Sequence, residues 1–269
     1  MLIIGEKING AIPAVAKAIA ERDDEFIRDL ARRQVKAGVD YLDVCAGTSP
    51  DKELEALKWL IEIVQGETDV RLCVDSPDAR IIEEVLPLVK RCGLINSVSG
   101  EGDKCEAIFP LVNDSAWEVI VLTCGQEGIP DTAPKKVEIA CTLIEKAGSY
   151  GIGPERLFID PLVLSLATVN NSMLMFMDSV REIKRLYPTV KTVSGLSNIS
   201  YGMPYRKIIN QNFLTLALSA GMDAAIINPE NRDMVGSIFA VEALLGQDKH
   251  CRKYYKAYRD GKFGTPQKA

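Results

Sequence analysis

Short apolar runs alternate with amphipathic stretches from one end of the chain to the other. The runs Leu2–Gly5, Tyr41–Cys45, Arg71–Asp75, Leu94–Ser97, Glu118–Thr123, Leu157–Asp160, Thr192–Gly195 and Ala224–Asn228 have strand length. Between them apolar residues recur at helical spacing. Val137, Ala140, Cys141, Ile144 and Ala147 line one face, and Val235, Ile238, Phe239 and Leu245 do so more loosely. Gly38, Gly66, Gly93, Gly148, Gly221 and Gly246 stand where left-handed C-caps would end helices. Two boundaries echo one another, Ala37-Gly38-Val39-Asp40 and Ala220-Gly221-Met222-Asp223. Strict βα alternation predicts a parallel sheet with right-handed crossovers. Eight units in 269 residues, about 34 residues each, favour a closed (β/α)8 TIM barrel over an open doubly wound sheet. No linker-like stretch interrupts the pattern. The expectation is a single α/β domain, a barrel over residues 1–246, followed by a basic C-terminal helix or tail over 247–269.

Composition narrows the classes further. Hydrophobic residues make up 47% of the chain and charged residues 26%, too apolar for disorder. No apolar run is long enough to span a membrane, and no basic region precedes the short apolar run at the N-terminus, so neither a membrane segment nor a secretory signal is expected. The seven cysteines include no C-x-x-C pair, which argues against zinc-finger and thioredoxin-like motifs and for a reducing, cytoplasmic setting. A net charge of −5 argues against nucleic acid as a partner. From Lys249 onward, seven Lys/Arg and one Asp give the tail a net +6, leaving −11 for the rest. The single histidine, His250, excludes a multi-histidine metal site. Chemistry here must use carboxylates, amides, thiols or a group brought from elsewhere.

In such a barrel the site lies at the C-terminal ends of the strands. The polar residues there are Glu6 and Asn9, Asp43, Asp75, Asn96 with Ser97, Thr123, Asp160, then Ser194, Ser197 and Asn198, and Asn228. Any one has a structural use, since Asp75-Ser76-Pro77 and Asp160-Pro161 can cap the next helix. The whole ring exceeds what capping requires. Lysine is absent from the strand ends except for Lys7, which weakens a Schiff-base reading. Gly195-Leu196-Ser197-Asn198 is too thin for a phosphate loop. Asp, Asn and Asp together suit a neutral heterocycle rich in N–H donors, such as a pterin, because a carboxylate accepts paired N–H bonds and a carboxamide both donates and accepts.

The segments Leu2-Ile3-Ile4-Gly5-Glu6-Lys7-Ile8-Asn9-Gly10, Cys73-Val74-Asp75-Ser76, Ile95-Asn96-Ser97, Ile159-Asp160-Pro161-Leu162 and Gly195-Leu196-Ser197-Asn198 occur in order, at successive strand ends. In these the sequence resembles the methyltetrahydrofolate:corrinoid-protein methyltransferases. These belong to the pterin-binding barrel group, with dihydropteroate synthase and the folate domain of cobalamin-dependent methionine synthase. The resemblance implies that Asp75, Asn96 and Asp160 bind the pterin ring of tetrahydrofolate or 5-methyltetrahydrofolate, and that Asn198 approaches N5 as the catalytic residue. It implies that Arg206 lies near the ligand and Glu6 at the floor of the site, with Ser197 and Asn9 behind them. It also implies a corrinoid (cobalamin) carried by a separate corrinoid protein, a homodimer, and no metal bound by this chain.

Breaking a C–N bond at N5 requires proton or hydrogen-bond donation to that nitrogen. Asn198 cannot supply a proton at neutral pH, so its expected role is electrostatic and orienting. The chain lacks a D-x-H-x-x-G corrinoid motif and the late S-x-R-x-H pattern of dihydropteroate synthase. Either direction of transfer fits: methyl-corrinoid to tetrahydrofolate in methylamine or betaine demethylation, or methyltetrahydrofolate to Co(I) in anaerobic acetogenesis. A non-catalytic folate-binding subunit and another barrel enzyme, such as a dihydropteroate synthase-like transferase, are the alternatives. Met173, Met175 and Met177 pack within the sixth helix or serve corrinoid docking or the folate tail, and the tail with Tyr254, Tyr255 and Tyr258 forms a solvated helix, meets an acidic partner or covers a dimer seam.

Overall fold

The computed structural model describes residues 1–264. Eight strands form a closed, all-parallel barrel in chain order, with β8 returning to pair with β1. The order is β1 (Leu2–Asn9), α1 (Pro13–Glu21), α2 (Asp24–Ala37), β2 (Tyr41–Cys45), α3 (Pro50–Glu67), β3 (Arg71–Asp75), α4 (Ala79–Val85), β4 (Leu94–Val98) and α5 (Lys104–Val112). It continues with β5 (Glu118–Leu122), α6 (Ala133–Ser149), β6 (Leu157–Asp160), α7 (Ser172–Leu186), β7 (Lys191–Gly195), α8 (Arg206–Ser219), β8 (Ala224–Ile227), α9 (Arg232–Leu244) and α10 (Arg252–Arg259). The expected strands appear within a residue or so at each end, except β1. A register shift between Gly5 and Ile8 carries that strand on to Asn9, paired with Cys45.

Alternation along the strands sorts side chains by face. Ile4, Tyr41, Cys73, Leu94, Ile120, Phe158, Val193 and Ala224 fill the barrel interior. Their neighbours, among them Leu42, Val44, Leu72, Val74, Ile95, Val119, Val121, Leu157 and Ile159, pack outward beneath the helices. The N-terminal end is closed by charge as well as packing. Glu118 accepts from Arg71 Nη1 at 3.2 Å, from Lys191 Nζ at 3.0 Å and from the Tyr41 hydroxyl.

Of the six glycines expected to cap helices, Gly38, Gly221 and Gly246 take positive φ, at 97°, 105° and 73°. Gly66 and Gly148 lie inside α3 and α6 instead. Gly93 is needed for contact rather than conformation, because a Cβ there would sit 2.0 Å from the Leu72 carbonyl oxygen. The echo between Gly38-Val39-Asp40 and Gly221-Met222-Asp223 has a structural meaning. Asp40 Oδ2 accepts from Ile3 N, and Asp223 Oδ2 from Thr192 N, both at 2.8 Å. Each aspartate thus ties the turn before its strand to the neighbouring strand.

Beyond residue 246 the chain folds back along α9. Phe263 packs on Tyr254 and Tyr258 of α10 and stacks on Phe239, so two of the three tail tyrosines serve packing. Tyr255 is exposed. Residues 265–269 of the expected tail lie outside the described residues.

Candidate active site

The inward-facing series continues past the interior core to the C-terminal mouth. Two residues beyond Tyr41 comes Asp43, two beyond Cys73 comes Asp75, two beyond Leu94 comes Asn96, and two beyond Phe158 comes Asp160. Glu6 follows Ile4 in the same way. Register places Asp75 beside Asn96, and Asn96 Nδ2 donates to Asp43 Oδ1 at 3.4 Å. The polar cluster is thus the top layer of the barrel interior, set by strand parity.

Burial dominates its electrostatics. It pushes the Asp75 carboxyl up to about 6, opposed by hydrogen bonding from Cys45. Asp43 is buried and rises well above the usual carboxylate range, through burial first and the charge of Asp75 second. Glu6 is raised by burial and partly restored by Lys7, Arg206 and the backbone N–H of Asn228. Burial also pushes the thiols of Cys45 and Cys73 up, so both stay protonated beside the carboxylates. Directly after Asp75, Ser76 Oγ donates to the buried Glu53 at 2.6 Å.

Asp160 is buried and likewise raised to about 6. Its Oδ1 accepts from Leu162 N at 2.8 Å, closing a local turn rather than capping the next helix, whose N-cap is Asn171, and the Gly195 N–H also favours its ionised form. The mouth also holds a residue that the sequence reading missed. Lys136 in the first turn of α6 is fully buried and donates from Nζ to the Leu162 carbonyl at 2.6 Å. Its signal was its phase, since it shares the buried face of α6 with Ala140, Leu143 and Ala147. The structure also adds Asp43, a strand-end carboxylate, to the site residues expected from sequence.

After β7 the chain makes a short 3-10 turn over Leu196–Ser200 that presents Asn198 to solvent. A Cβ on Gly195 would lie 3.4 Å from Asn198 Nδ2, so the amide lies close over the inward-facing end of β7. Arg206 holds this turn. Its Nε donates to Ser200 Oγ at 3.0 Å and its Nη2 to the Ser197 carbonyl at 2.5 Å. Ser197 enters the arrangement through that carbonyl. Asn9 is engaged locally, its Oδ1 accepting from Ala11 N at 2.8 Å. Asp75, Asn96, Asp160 and Glu6 therefore share the barrel mouth, Asn198, Ser197 and Arg206 form one unit at its rim, and Asn9 closes a turn beside it. Thr123 and Ser194 are buried, and their hydroxyls have no partner among the described residues. Met175 is buried in α7, while Met173 lines a groove with Ile199, Ile209 and Phe213. Among the described residues no three His, Cys, Asp or Glu side chains are grouped so as to hold a metal ion.

A family profile described as "Pterin binding enzyme" matches residues 14–228. The methylcorrinoid:tetrahydrofolate methyltransferase of Eubacterium limosum is 52% identical over 269 residues, covering 99% of this chain and 99% of that protein. The methionine synthase of Mycobacterium tuberculosis is 32% identical over 242 residues, covering 85% of this chain but 20% of that much longer protein. Among solved structures, a Yersinia pestis dihydropteroate synthase with a sulfonamide drug aligns with a TM-score of 0.67 at 17% identity, covering 91% of this chain and 94% of that one. A Xanthomonas albilineans dihydropteroate synthase in complex with 7,8-dihydropteroate aligns with a TM-score of 0.64 at 18% identity, covering 91% and 92%. At such identities the structural likeness is one of fold.

Proposed function

This chain belongs to the pterin-binding enzyme family, and on that premise we propose that it is a tetrahydrofolate-dependent methyltransferase. It moves a methyl group between N5 of tetrahydrofolate and the cobalt of a corrinoid carried by a separate corrinoid protein. The observation that carries this reading is the inward-facing trio Asp75, Asn96 and Asp160 at the mouth of a chain similar over its whole length to a methylcorrinoid:tetrahydrofolate methyltransferase. The name of that relative favours methylcorrinoid as donor and tetrahydrofolate as acceptor.

The pterin presents N–H groups along its edges. Asp75 and Asp160 accept them, and Asn96 pairs with a donor and an acceptor of the same ring. Accepting N–H bonds favours the ionised carboxylates, against the burial that raises both to about 6. The corrinoid is a substrate that supplies or receives the methyl group at its cobalt. As N5 takes the methyl group it carries positive charge until its proton leaves, and in the reverse direction it carries that charge before the C–N bond breaks. The Asn198 side-chain oxygen stabilises this charged nitrogen in both directions. Arg206 fixes the turn that carries Asn198, and Glu6 adds negative charge beneath the ring.

A homodimer in the cytoplasm belongs to the same proposal. The exposed Ile208 and Leu216 at the groove between α7 and α8, with the exposed Leu174 on α7, supply an apolar surface for it. No helix among the described residues is long and apolar enough to cross a membrane.

The test mixes the protein with methylcobalamin and tetrahydrofolate, and separately with Co(I) cobalamin and 5-methyltetrahydrofolate, and follows the corrinoid absorption. Interconversion of the two corrinoid spectra is expected. No change in either mixture, with folded protein, sinks the proposal.

A further inference from the structure

Lys136 stands where helical phase calls for an apolar residue. It occupies the buried face of α6 together with Ala140, Leu143 and Ala147, and none of its surface reaches solvent. Two costs attach to a lysine there. A buried ammonium must be paired and hydrogen-bonded, and a cation in the first turn of a helix opposes the helix dipole. An apolar side chain would incur neither, so packing alone does not account for this residue.

What the ammonium meets is the turn that follows β6. Its Nζ donates to the Leu162 carbonyl at 2.6 Å. Leu162 has φ +54°, a conformation unfavourable for a branched side chain, and its N–H donates to Asp160 Oδ1 at 2.8 Å. Carboxylate, Leu162 N–H, Leu162 carbonyl and ammonium therefore form a linked chain with opposite charges at its ends. Besides Leu162, the groups that favour the Asp160 carboxylate are the uncharged Gly195 N–H and the charge of Lys136.

We propose that Lys136 is a positioning residue for the folate site, holding the Asp160 carboxylate ionised and oriented toward the pterin through the Leu162 carbonyl and through its own charge. The inference rests on the folate reading above. The attraction is mutual: burial lowers the Lys136 pKa and the charge of Asp160 raises it, while Lys136 lowers that of Asp160 against burial. Removing the positive charge therefore moves Asp160 further up.

The experiment measures 5-methyltetrahydrofolate affinity by calorimetry across pH for the unaltered chain, Lys136→Gln and Lys136→Arg. Gln retains a donor for the Leu162 carbonyl but no charge, and Arg retains both. For Lys136→Gln the pH midpoint below which affinity falls should move up by about one unit, an affinity loss of about fivefold near pH 6 that approaches tenfold below about pH 5 and nearly disappears above about pH 8. Lys136→Arg should keep the original midpoint. An unshifted midpoint in Lys136→Gln, or equal losses in both variants at every pH, overturns the proposal. If Lys136→Gln alone fails to fold, Lys136→Gln/Asp160→Asn should restore folding, and continued failure also overturns it. Absence of folate binding by the unaltered chain would instead defeat the folate reading, and this inference with it.

Discussion

Replacing Asp75 by Asn is expected to stabilise the fold while removing tetrahydrofolate binding. Burial raises the Asp75 carboxyl from 3.8 to about 6. At about 1.4 kcal/mol per unit, its ionised form costs the folded state about 3 kcal/mol at neutral pH, or about 2 once the hydration left at the barrel mouth is allowed for. The folded state holds this proton more tightly than the unfolded chain does. The cost is therefore absent below the unfolded value of 3.8, grows as pH rises, and is complete above about 6. Asn carries no charge, and its side-chain oxygen can still accept from Cys45. Neutralising position 75 also relieves Asp43, whose carboxyl the charge of Asp75 pushes up. Urea denaturation followed by Trp59 and Trp117 fluorescence should show Asp75→Asn more stable by about 2–3 kcal/mol near pH 7.5, with the advantage vanishing toward about pH 4. A variant less stable than the original near neutral pH, or one whose advantage is the same at both ends of the range, would refute the reasoning.

Asn198→Ala should slow methyl transfer by about 2–4 kcal/mol of transition-state stabilisation with folate affinity retained, a split read from single-turnover rates beside equilibrium binding; an unchanged rate counts against the assigned role. In the unaltered protein, affinity for 5-methyltetrahydrofolate should be constant above about pH 7 and fall as pH drops through about 6, where Asp75 and Asp160 take up protons, as calorimetry in buffers of stepped pH will show. Glu118→Gln at the opposite end of the barrel should lower stability by about 2–4 kcal/mol, because Arg71 and Lys191 lose their shared carboxylate, while the turnover of folded protein stays unchanged. Denaturation curves and initial rates on the same sample separate those two effects.

The barrel was legible because each strand is a short apolar run between polar turns, and eight of them leave little choice of architecture. Where the reading slipped, tertiary contact outweighed local pattern. β1 runs beyond Gly5 because a register shift lets Ile8 and Asn9 pair with Val44 and Cys45, which no local signal announces. Gly66 and Gly148 resemble stops but are the penultimate residues of α3 and α6, just past the last buried positions Val64 and Ala147, so each helix runs one residue beyond its glycine. The site carboxylates were visible as strand-end polar residues. What tied them together was parity, since Asp43, Asp75, Asn96 and Asp160 each stand two places beyond an interior core residue. Lys136 escaped because a basic residue at a helix start reads as solvated, and only its phase with Ala140 and Leu143 marks it as buried. The hold of Arg206 on the Asn198 turn depends on Tyr205 taking φ +47°, a conformation that sequence does not forecast for tyrosine.

The two ends of this barrel handle charge in opposite ways, on β2 and β3 within two to four residues of one another. At the N-terminal end Glu118 is met by Arg71, Lys191 and the Tyr41 hydroxyl, and the charges are answered within the protein. At the C-terminal end Glu6, Asp43, Asp75 and Asp160 are opposed by Lys7, Lys136 and Arg206, and burial still raises all four carboxyls. Selection for stability alone would pair or remove these groups, since unpaired buried carboxylates cost more than apolar replacements. Their retention makes sense if a ligand supplies the missing donors. A flat ring with N–H groups on its edges does so without bringing a full positive charge into the barrel, and its binding stabilises the protein most where the carboxylates are ionised. The same economy covers the reacting atom. A nitrogen that becomes transiently positive needs an oppositely polarised oxygen held in place, and in the proposed reaction the Asn198 carboxamide, on a turn held by Arg206, is the group that would supply one in a chain whose single histidine lies at position 250.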